Sequence, residues 1–270
     1  MIPAVAILDT GIATRLRSDT TVRCEINLSG HGPEDDATDE HGHGTLIAET
    51  ILKWNAAAAI VAVKLLGKYG QLRAPEQLEV AFEWLVDNHE RVGIGVVCAS
   101  FGDVSHVSSD ERFRGTPLQR HISALHGAGV PTVAPAGNAR LRHRGWGDQG
   151  MAWPAILREV ISVGAVERSP SGLRLTDNSQ RLHSAVGGAC STTVFAEPDQ
   201  PGGTSGATAV VAACLLRLRA AFPQATVPRL VEELLMHRCE ARDESPFEWP
   251  ALDTIWLGVV SSASASHPGA

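Results

Sequence analysis

Short apolar runs alternate with amphipathic stretches along most of the chain. The apolar runs are nearly unbroken and rich in Val and Ile, and they comprise Ala4–Leu8, Ala59–Leu66, Gly95–Ser100, Val130–Ala134 and Val160–Val166. Unbroken runs of this length are typical of strands in a parallel sheet that is covered on both faces. The pattern therefore predicts five buried parallel strands.

Helical spacing of apolar residues fills much of the chain between and after these runs. The stretch over residues 75–89 places its apolar side chains on one face, and Pro75 suits its first turn. Three more helices are predicted to begin at Thr116, near Ser205 and near Thr226. The helix at Ser205 is apolar nearly all round, which indicates a central position. Strands that alternate with helices predict a three-layer α/β/α sandwich, in which ligands bind at the carboxyl ends of the strands.

The composition is that of an ordinary globular domain. Of the 270 residues, 44% are hydrophobic and 20% are charged, which excludes a disordered or collagen-like chain. The formal net charge of −7 argues against a general binder of nucleic acid or of acidic membranes. The longest apolar runs have eight residues, which is too short for a membrane span.

The cysteines and the N-terminus indicate a reducing compartment. Five cysteines occur at wide spacings without a C-x-x-C pair, so a zinc site or a full disulfide framework is not expected. The segment Met1–Asp9 lacks the basic and apolar regions of a signal peptide. We therefore expect a cytoplasmic protein.

Three polar segments interrupt the scaffold where α/β sheets place their active sites. The first, Asp9-Thr10-Gly11, directly follows the opening strand. A carboxylate at the carboxyl end of a strand is well placed to orient a histidine. Taken alone, the same segment is better explained by an Asp that forms a turn.

The second segment, Asp39–Ala48, contains two histidines, His41 and His43. Only His43 is followed by Gly-Thr and then by a helix-like run, so it is the stronger candidate for a base that faces a cleft. The spacing of the two histidines also admits a metal site. Zinc ligands on helices, however, are four residues apart, and no third ligand cluster lies nearby.

The third segment, Gly202–Ala209, surrounds Ser205 with small residues at the start of an apolar helix. This position exposes the hydroxyl and directs the N-terminus of the helix toward an oxyanion. An ordinary N-cap serine would look the same. The segment also nearly matches the nucleophile elbow of α/β-hydrolases, but those enzymes have the order Ser, acid, His. Here the order is Asp9, His43, Ser205.

With this order, the chain resembles the subtilisin-like (subtilase) serine endopeptidases over residues 4–239. Asp9-Thr10-Gly11 resembles the aspartate motif of that family, His43–Ala48 its H-G-T-x-x-A motif, and Gly203–Ala207 its G-T-S-x-A motif. Pro135–Asn138 resembles the segment whose asparagine helps to form the oxyanion hole, and Ala99–Gly102 resembles the strand that pairs with the substrate backbone. Four motifs in the family's order are a specific signal.

The resemblance implies a fold, an activity and a set of site residues. It implies a central, mostly parallel sheet of roughly seven strands in a peptidase domain over residues 1–260, with a flexible tail over residues 261–270. The implied activity is hydrolysis of peptides or proteins. We expect no cofactor, no metal, and no nucleic-acid or membrane partner. The implied residues are Asp9, His43 and Ser205 as the catalytic triad, Asn138 in the oxyanion hole, and Ser100, Phe101, Gly102, Ala136 and Gly137 in substrate binding.

Three departures from the family pattern qualify this expectation. Asp9 lies so close to residue 1 that we expect no propeptide, and hence an intracellular enzyme that a protein partner activates or inhibits. The segment Ile51–Val63 is too short for the calcium loop of many members, so the acidic residues over 34–40 are expected to form a solvated loop rather than a cation site. Ala209 replaces the proline that usually follows the serine.

Specificity and activity leave alternatives open. The basic residues Arg140, Arg142, His143 and Arg144 follow Asn138 and either line the S1 pocket, where they would favour acidic or polar side chains, or form an exposed basic loop. The chain as a whole is either an active protease, a pseudoprotease that binds peptides without cutting them, or a protease that is inactive until a partner binds.

Overall fold

The computed structural model describes residues 2–18, 21–143, 149–236 and 238–253. The strands are β1 (Ala4–Asp9), β2 (Val22–Asn27), β3 (Ala59–Lys64), β4 (Ile94–Cys98), β5 (Thr132–Pro135), β6 (Val160–Ser169), β7 (Gly172–Leu175), β8 (Val194–Ala196), β9 (Arg238–Arg242) and β10 (Trp249–Leu252). The helices are α1 (His43–Trp54), α2 (Glu76–Val92), α3 (Pro117–Gly127), α4 (Ser184–Gly187), α5 (Gly203–Ala221) and α6 (Val227–Leu235).

A run of parallel strands forms the centre of the sheet. Its order is β2-β3-β1-β4-β5-β6, and β8 pairs with β6 in the same direction. This part matches the expected seven mostly parallel strands. In the described residues the sheet has ten strands, because β7, β9 and β10 extend it through antiparallel pairings of β7 with β6 and of β10 with β9.

Alternate residues of the central strands face two helical layers. In β1, Val5 and Ile7 pack with α1, α5 and α6, whereas Ala4, Ala6 and Leu8 pack with α2 and α3. Both faces are fully apolar because both are covered, which explains why the strand sequence does not alternate between apolar and polar residues. The three-layer α/β/α fold class is thus confirmed.

Helix α5 occupies the centre of one layer, as its sequence predicts. Thirteen of its residues are buried, from Thr204 near its start to Arg219 in its last turn. The helix packs on β4, β5 and β6, and also against α1 and α6. Its first turn therefore lies at the carboxyl ends of the central strands, where the polar segments of the sequence meet.

The described residues contain no helix that is long and apolar enough to cross a membrane. The flexible tail expected over residues 261–270, and the last part of the domain from residue 254 onward, lie outside the described residues.

Candidate active site

A cleft of about 350 Å³ opens at the carboxyl edge of the sheet. The ends of β1, β4 and β5 and the starts of α1 and α5 surround it. Its lining includes Thr10, His41, His43, Leu66, Tyr69, Gly70, Ser100, Phe101, Gly102, Asp103, Val104, Pro135, Gly137, Asn138, Ala139, Arg142, Thr204 and Ser205. The three polar segments singled out from the sequence thus meet at one place, as parallel strands require.

A buried carboxylate holds the histidine of the cleft. Asp9 is the last residue of β1 and is 0% exposed. His43 is the first residue of α1, and its Nδ1 lies 2.8 Å from Asp9 Oδ1 and 2.9 Å from Oδ2. Because a carboxylate accepts hydrogen bonds, Nδ1 carries the proton and Nε2 of the neutral ring is the free base.

Glycine allows the close approach of β1 and α1. A side chain on Gly44 would place its Cβ 2.4 Å from the carbonyl oxygen of Gly11, so the two segments are in backbone contact. Gly11 itself has a φ of +113°, in the region that favours glycine. The hydroxyl of Thr10 accepts a hydrogen bond from the Gly44 N–H at 2.9 Å, which fixes the first turn of α1 against the strand end.

Asp39 caps the start of α1, a role that the sequence analysis did not assign to it. Its carboxylate accepts hydrogen bonds from the backbone of His41, Gly42 and Thr45 and from the Thr45 hydroxyl. Burial raises the pKa of Asp39, but the hydrogen bonds from Thr45 and Gly42 outweigh it, so the pKa lies below its ordinary value. A carboxylate three or four residues before a helix start, followed by Thr, was the available signal.

The pKa of His43 is raised from its ordinary value of 6.5. Burial is the largest single influence and lowers the pKa. The hydrogen bond and the charge of Asp9, together with the charge of Asp39, raise the pKa by more than burial lowers it. The pair of carboxylates therefore strengthens the imidazole as a base.

Ser205 lies in the first turn of α5, beside the segment that follows β4. Its hydroxyl donates a hydrogen bond to the Ser100 carbonyl oxygen at 3.3 Å, and the Ser100 hydroxyl donates to the Ser205 carbonyl at 3.0 Å. Among the hydrogen bonds of the described residues, none joins the Ser205 hydroxyl to His43. Hydrogen bonds between a nucleophile and its base often form only when substrate is present.

Asn138 follows β5 and is exposed in the cleft. Its Oδ1 accepts hydrogen bonds from the backbone and hydroxyl of Thr204, at 3.0 and 3.1 Å. Both bonds occupy the carbonyl end of the amide, so the Nδ2 end is available as a donor. The N–H of Ser205 is one of the first four of α5, which have no carbonyl partner within a helix. Asn138 and Ser205 both line the cleft.

Four of the five residues expected to bind substrate line the cleft, and one does not. Ser100, Phe101, Gly102 and Gly137 are part of its surface. Ala136 is 0% exposed and packs in an apolar cluster behind the cleft, and its N–H and C=O are bonded to Val163 and Ala152. Ala136 therefore supports the wall rather than forming it.

The basic residues after Asn138 do not form one surface. Arg140 is 7% exposed and turned away from the cleft to an ion pair with Glu244. Arg142 lines the cleft, whereas His143 bonds the Val104 carbonyl at 3.0 Å and stacks on His106. Arg144 lies outside the described residues. The hypothesis of a basic S1 rim thus reduces to Arg142.

The acidic loop over residues 34–40 is held by protein groups. Asp36 accepts hydrogen bonds from the backbone and hydroxyl of Thr38, and Glu40 lies 3.3 Å from Lys64 Nζ. Within the described residues, no group of three His, Cys, Asp or Glu side chains is arranged to hold a metal ion.

A second, larger cavity of about 600 Å³ shares Tyr69 with the cleft. Its lining includes Lys64 and Glu40 and contains none of the predicted site residues. The chemistry expected from the sequence belongs to the smaller cleft, because that cleft holds the histidine, the serine and the amide together.

Comparison with known proteins gives one family. The model of the subtilase family matches residues 3–248. The chain is 29% identical over 174 residues to a thermostable alkaline protease of Halalkalibacterium halodurans, covering 61% of this chain and 42% of that protein. It is 28% identical over 174 residues to subtilisin BL of Lederbergia lenta, covering 61% and 56%. The matched region thus spans about half the length of these curated relatives.

Solved structures share the fold. Sphericase superposes with a TM-score of 0.70 at 21% identity, covering 87% of this chain and 83% of that one. A cold adapted subtilisin-like serine proteinase superposes with a TM-score of 0.71 at 20% identity, covering 92% and 87%. At this identity the likeness establishes the arrangement of strands and helices.

Proposed function

The chain belongs to the subtilase family, and from that membership we propose that it is a serine endopeptidase whose triad is Asp9, His43 and Ser205. The observation that carries the proposal is the buried Asp9 carboxylate on His43 Nδ1, in the same cleft as a serine at a helix N-terminus. Each group has the chemical character that its role in peptide hydrolysis requires.

The first step is attack by Ser205 Oγ on the carbonyl carbon of the substrate peptide. His43 Nε2 takes the hydroxyl proton as the new bond forms, and Asp9 stabilises the imidazolium that results. The carbonyl oxygen becomes an oxyanion, which accepts hydrogen bonds from Asn138 Nδ2 and the Ser205 N–H. The positive end of α5 adds to the stabilisation of this charge.

The second step releases the amine and leaves an acyl group on Ser205. The protonated His43 gives its proton to the leaving nitrogen, so the C–N bond breaks without forming a free amide anion. Water then attacks the acyl carbon with His43 again as the base, and the Ser205 hydroxyl is restored.

The substrate is proposed to bind in extended conformation along Ser100–Gly102. This segment follows β4 without joining a strand pair of its own. Backbone pairing to such a segment supplies affinity that does not depend on the substrate's side chains, and the remaining lining of the cleft selects among them. The substrate class is therefore peptides and unfolded segments of proteins.

We further propose that the protein acts in the cytoplasm. All five cysteines are free, and Cys98, Cys190 and Cys214 are buried. Free thiols in this number suit a reducing compartment. Activity should therefore be unchanged by reducing agents.

Labelling with a fluorophosphonate probe tests the triad. We expect the purified chain to be labelled at Ser205, and Ser205→Ala to remove the label together with cleavage of a fluorogenic peptide library. Ser109→Ala, at an exposed serine, is the matched control and keeps both. Cleavage that survives Ser205→Ala would overturn the proposal, and a folded chain that neither takes the label nor cleaves any peptide would be a pseudoprotease.

A second candidate is a protease that needs a bound partner before it turns over substrate. The observation that favours it is the hydroxyl of Ser205, which is engaged with the Ser100 carbonyl rather than with His43. A ligand that occupies the Ser100 backbone would release this hydroxyl. Weak labelling of the isolated chain, which rises on addition of cell lysate, would support this candidate.

A further inference from the structure

One buried glutamine, Gln180, makes side-chain hydrogen bonds to two segments that lie on either side of the cleft. Gln180 is 0% exposed, although it carries a side chain that is usually on the surface. We propose that Gln180 is a positioning residue, which holds the Asn138 donor in register with the substrate-binding segment. The proposal rests on the proposed function, because it assigns Gln180 a role in that same reaction.

On one side, Gln180 holds the residues that flank Asn138. Its backbone N–H donates to the Gly137 carbonyl at 2.8 Å, and its Oε1 accepts from the Ala139 N–H at 3.2 Å. The contact is close, since a Cβ on Gly137 would lie 2.1 Å from Gln180 Oε1. The backbone on both sides of Asn138 is thereby fixed, while the Asn138 side chain itself remains exposed in the cleft.

On the other side, the same amide holds the loop that continues from Gly102. Nε2 donates to the Ser105 carbonyl at 2.8 Å and lies 3.0 Å from His106 Nδ1. The orientation of the amide is set by these partners, because the reverse orientation would place Oε1 against the Ser105 carbonyl. One planar group therefore fixes the distance between the segment that pairs with substrate and the segment that carries the oxyanion donor.

The hydrogen bonds explain why a polar side chain occupies this buried position. A buried amide stabilises the folded state only if its donor and acceptor atoms are hydrogen-bonded. An apolar side chain of similar length would fill the same volume without that requirement. The chain has a glutamine here instead, and its three side-chain contacts are all with residues beside the cleft. A displacement of about 1 Å at a reacting group lowers rates by about 100-fold, so a fixed spacing here has a direct catalytic consequence.

The test is a double-mutant cycle with Gln180→Met, which keeps the length and removes the bonds, and Asn138→Ala. We expect Gln180→Met alone to lower kcat about 10- to 100-fold, below the ~10²–10³ for loss of the donor itself. In the Asn138→Ala background it should lower kcat by no more than about threefold, because residues that act through one group are not additive. Affinity for a peptide boronate, which mimics the tetrahedral intermediate, should fall together with kcat.

The matched control is Ser162→Ala, which removes a buried hydroxyl with bonds to Ser191 and Thr193 away from the cleft. It should lower the melting temperature and leave kcat and boronate affinity unchanged. If Gln180→Met does not fold, the same cycle is run with Gln180→Asn, whose amide is too short to reach both walls. Equal losses in the two backgrounds, or an unchanged kcat, would overturn the positioning role. A wild-type chain that cleaves nothing would instead count against the proposed function.

Discussion

At the scale of single residues, we expect Asn138 to contribute much more to catalysis than to stability. Its Nδ2 is proposed to bind the oxyanion, and within the described residues its side chain bonds the protein through Oδ1, at Thr204. Asn138→Ala should lower kcat about 10²–10³-fold and reduce the free energy of unfolding by only about 0.5–1.5 kcal/mol. Steady-state kinetics and urea unfolding measure the two quantities.

Asn178→Ala is the control for this prediction, because Asn178 is also an exposed asparagine but lies outside the lining of the cleft. It should alter neither kcat nor stability. A wild-type kcat in Asn138→Ala would remove Asn138 from the oxyanion hole.

The raised pKa of His43 predicts the acid limb of the pH profile. The base must be neutral to accept the proton of Ser205, so kcat/KM is lost as pH falls through the His43 pKa, which lies above 6.5. Asp9→Asn removes the hydrogen bond and charge that raise this pKa, while burial, which lowers it, remains. The limb should therefore move to lower pH, and kcat should fall about 10⁴-fold.

The measurement is kcat/KM against pH for both proteins at one ionic strength. A limb that stays at the same pH in Asp9→Asn would show that another group controls it. The stability contribution has the opposite sense: charged His43 stabilises the fold below its unfolded pKa, and this contribution is lost as pH rises through the folded pKa.

At the scale of elements, helix α1 depends on Asp39 for its start. The Asp39 carboxylate accepts four hydrogen bonds from the first turn and the residues before it. We expect Asp39→Ala to lower the free energy of unfolding by about 1–3 kcal/mol. Because the folded pKa of Asp39 is lowered, this contribution is present above pH 3.8 and is lost as pH falls through the folded value.

Asp35→Ala is the matched control, since Asp35 is an exposed carboxylate of the same acidic loop. Urea unfolding at neutral pH should detect no loss larger than about 0.5 kcal/mol for it. Equal losses for the two variants would contradict the capping role of Asp39.

The sequence predicted best the elements that are covered on both sides. The central strands were found because their apolar runs are unbroken, and α5 because it is apolar all round. Strand β2 and strands β7–β10 were missed. These strands are short or carry charged residues, as in Arg238–Arg242. One side of each faces solvent or packs in a small apolar cluster that is separate from the main core. Such strands follow from pairing with distant neighbours, which no local pattern records.

At the scale of the whole molecule, contacts between residues far apart in the sequence form the parts of the site that no motif predicts. The meeting of the segments that carry Asp9, His43 and Ser205 was predictable, because strand ends and helix starts in a parallel sheet lie at one edge. The burial of Arg140 was not predictable, because its partner Glu244 is 104 residues away. Gln180 was missed for the same reason, as its partners lie about 40 and 75 residues earlier.

A buried ion pair connects the β9–β10 hairpin to Arg181, the residue after Gln180. Arg181 Nε lies 2.9 Å from Asp243 Oδ2, and the two side chains are 2% and 4% exposed. Asp243 also accepts bonds from Ser245 and from the Trp249 indole. Asp243→Ala would remove the nearer of two carboxylates from the buried Arg181 guanidinium, because Glu244 Oε1 lies 3.6 Å from its Nη2. We expect a loss of about 3 kcal/mol, at the lower end of the range for a broken buried pair.

The same hairpin provides the control, Glu248→Ala, which breaks an exposed pair with Arg242. Exposed pairs contribute about 0–1 kcal/mol, so urea unfolding should separate the two variants by at least about 2 kcal/mol. Since Arg181 directly follows Gln180, Asp243→Ala should also lower kcat, whereas Glu248→Ala should not. Equal stability losses for Asp243→Ala and Glu248→Ala would contradict a stabilising role of the buried ion pair. The hairpin would then be held to the domain by its strand pairing with β7 and β8.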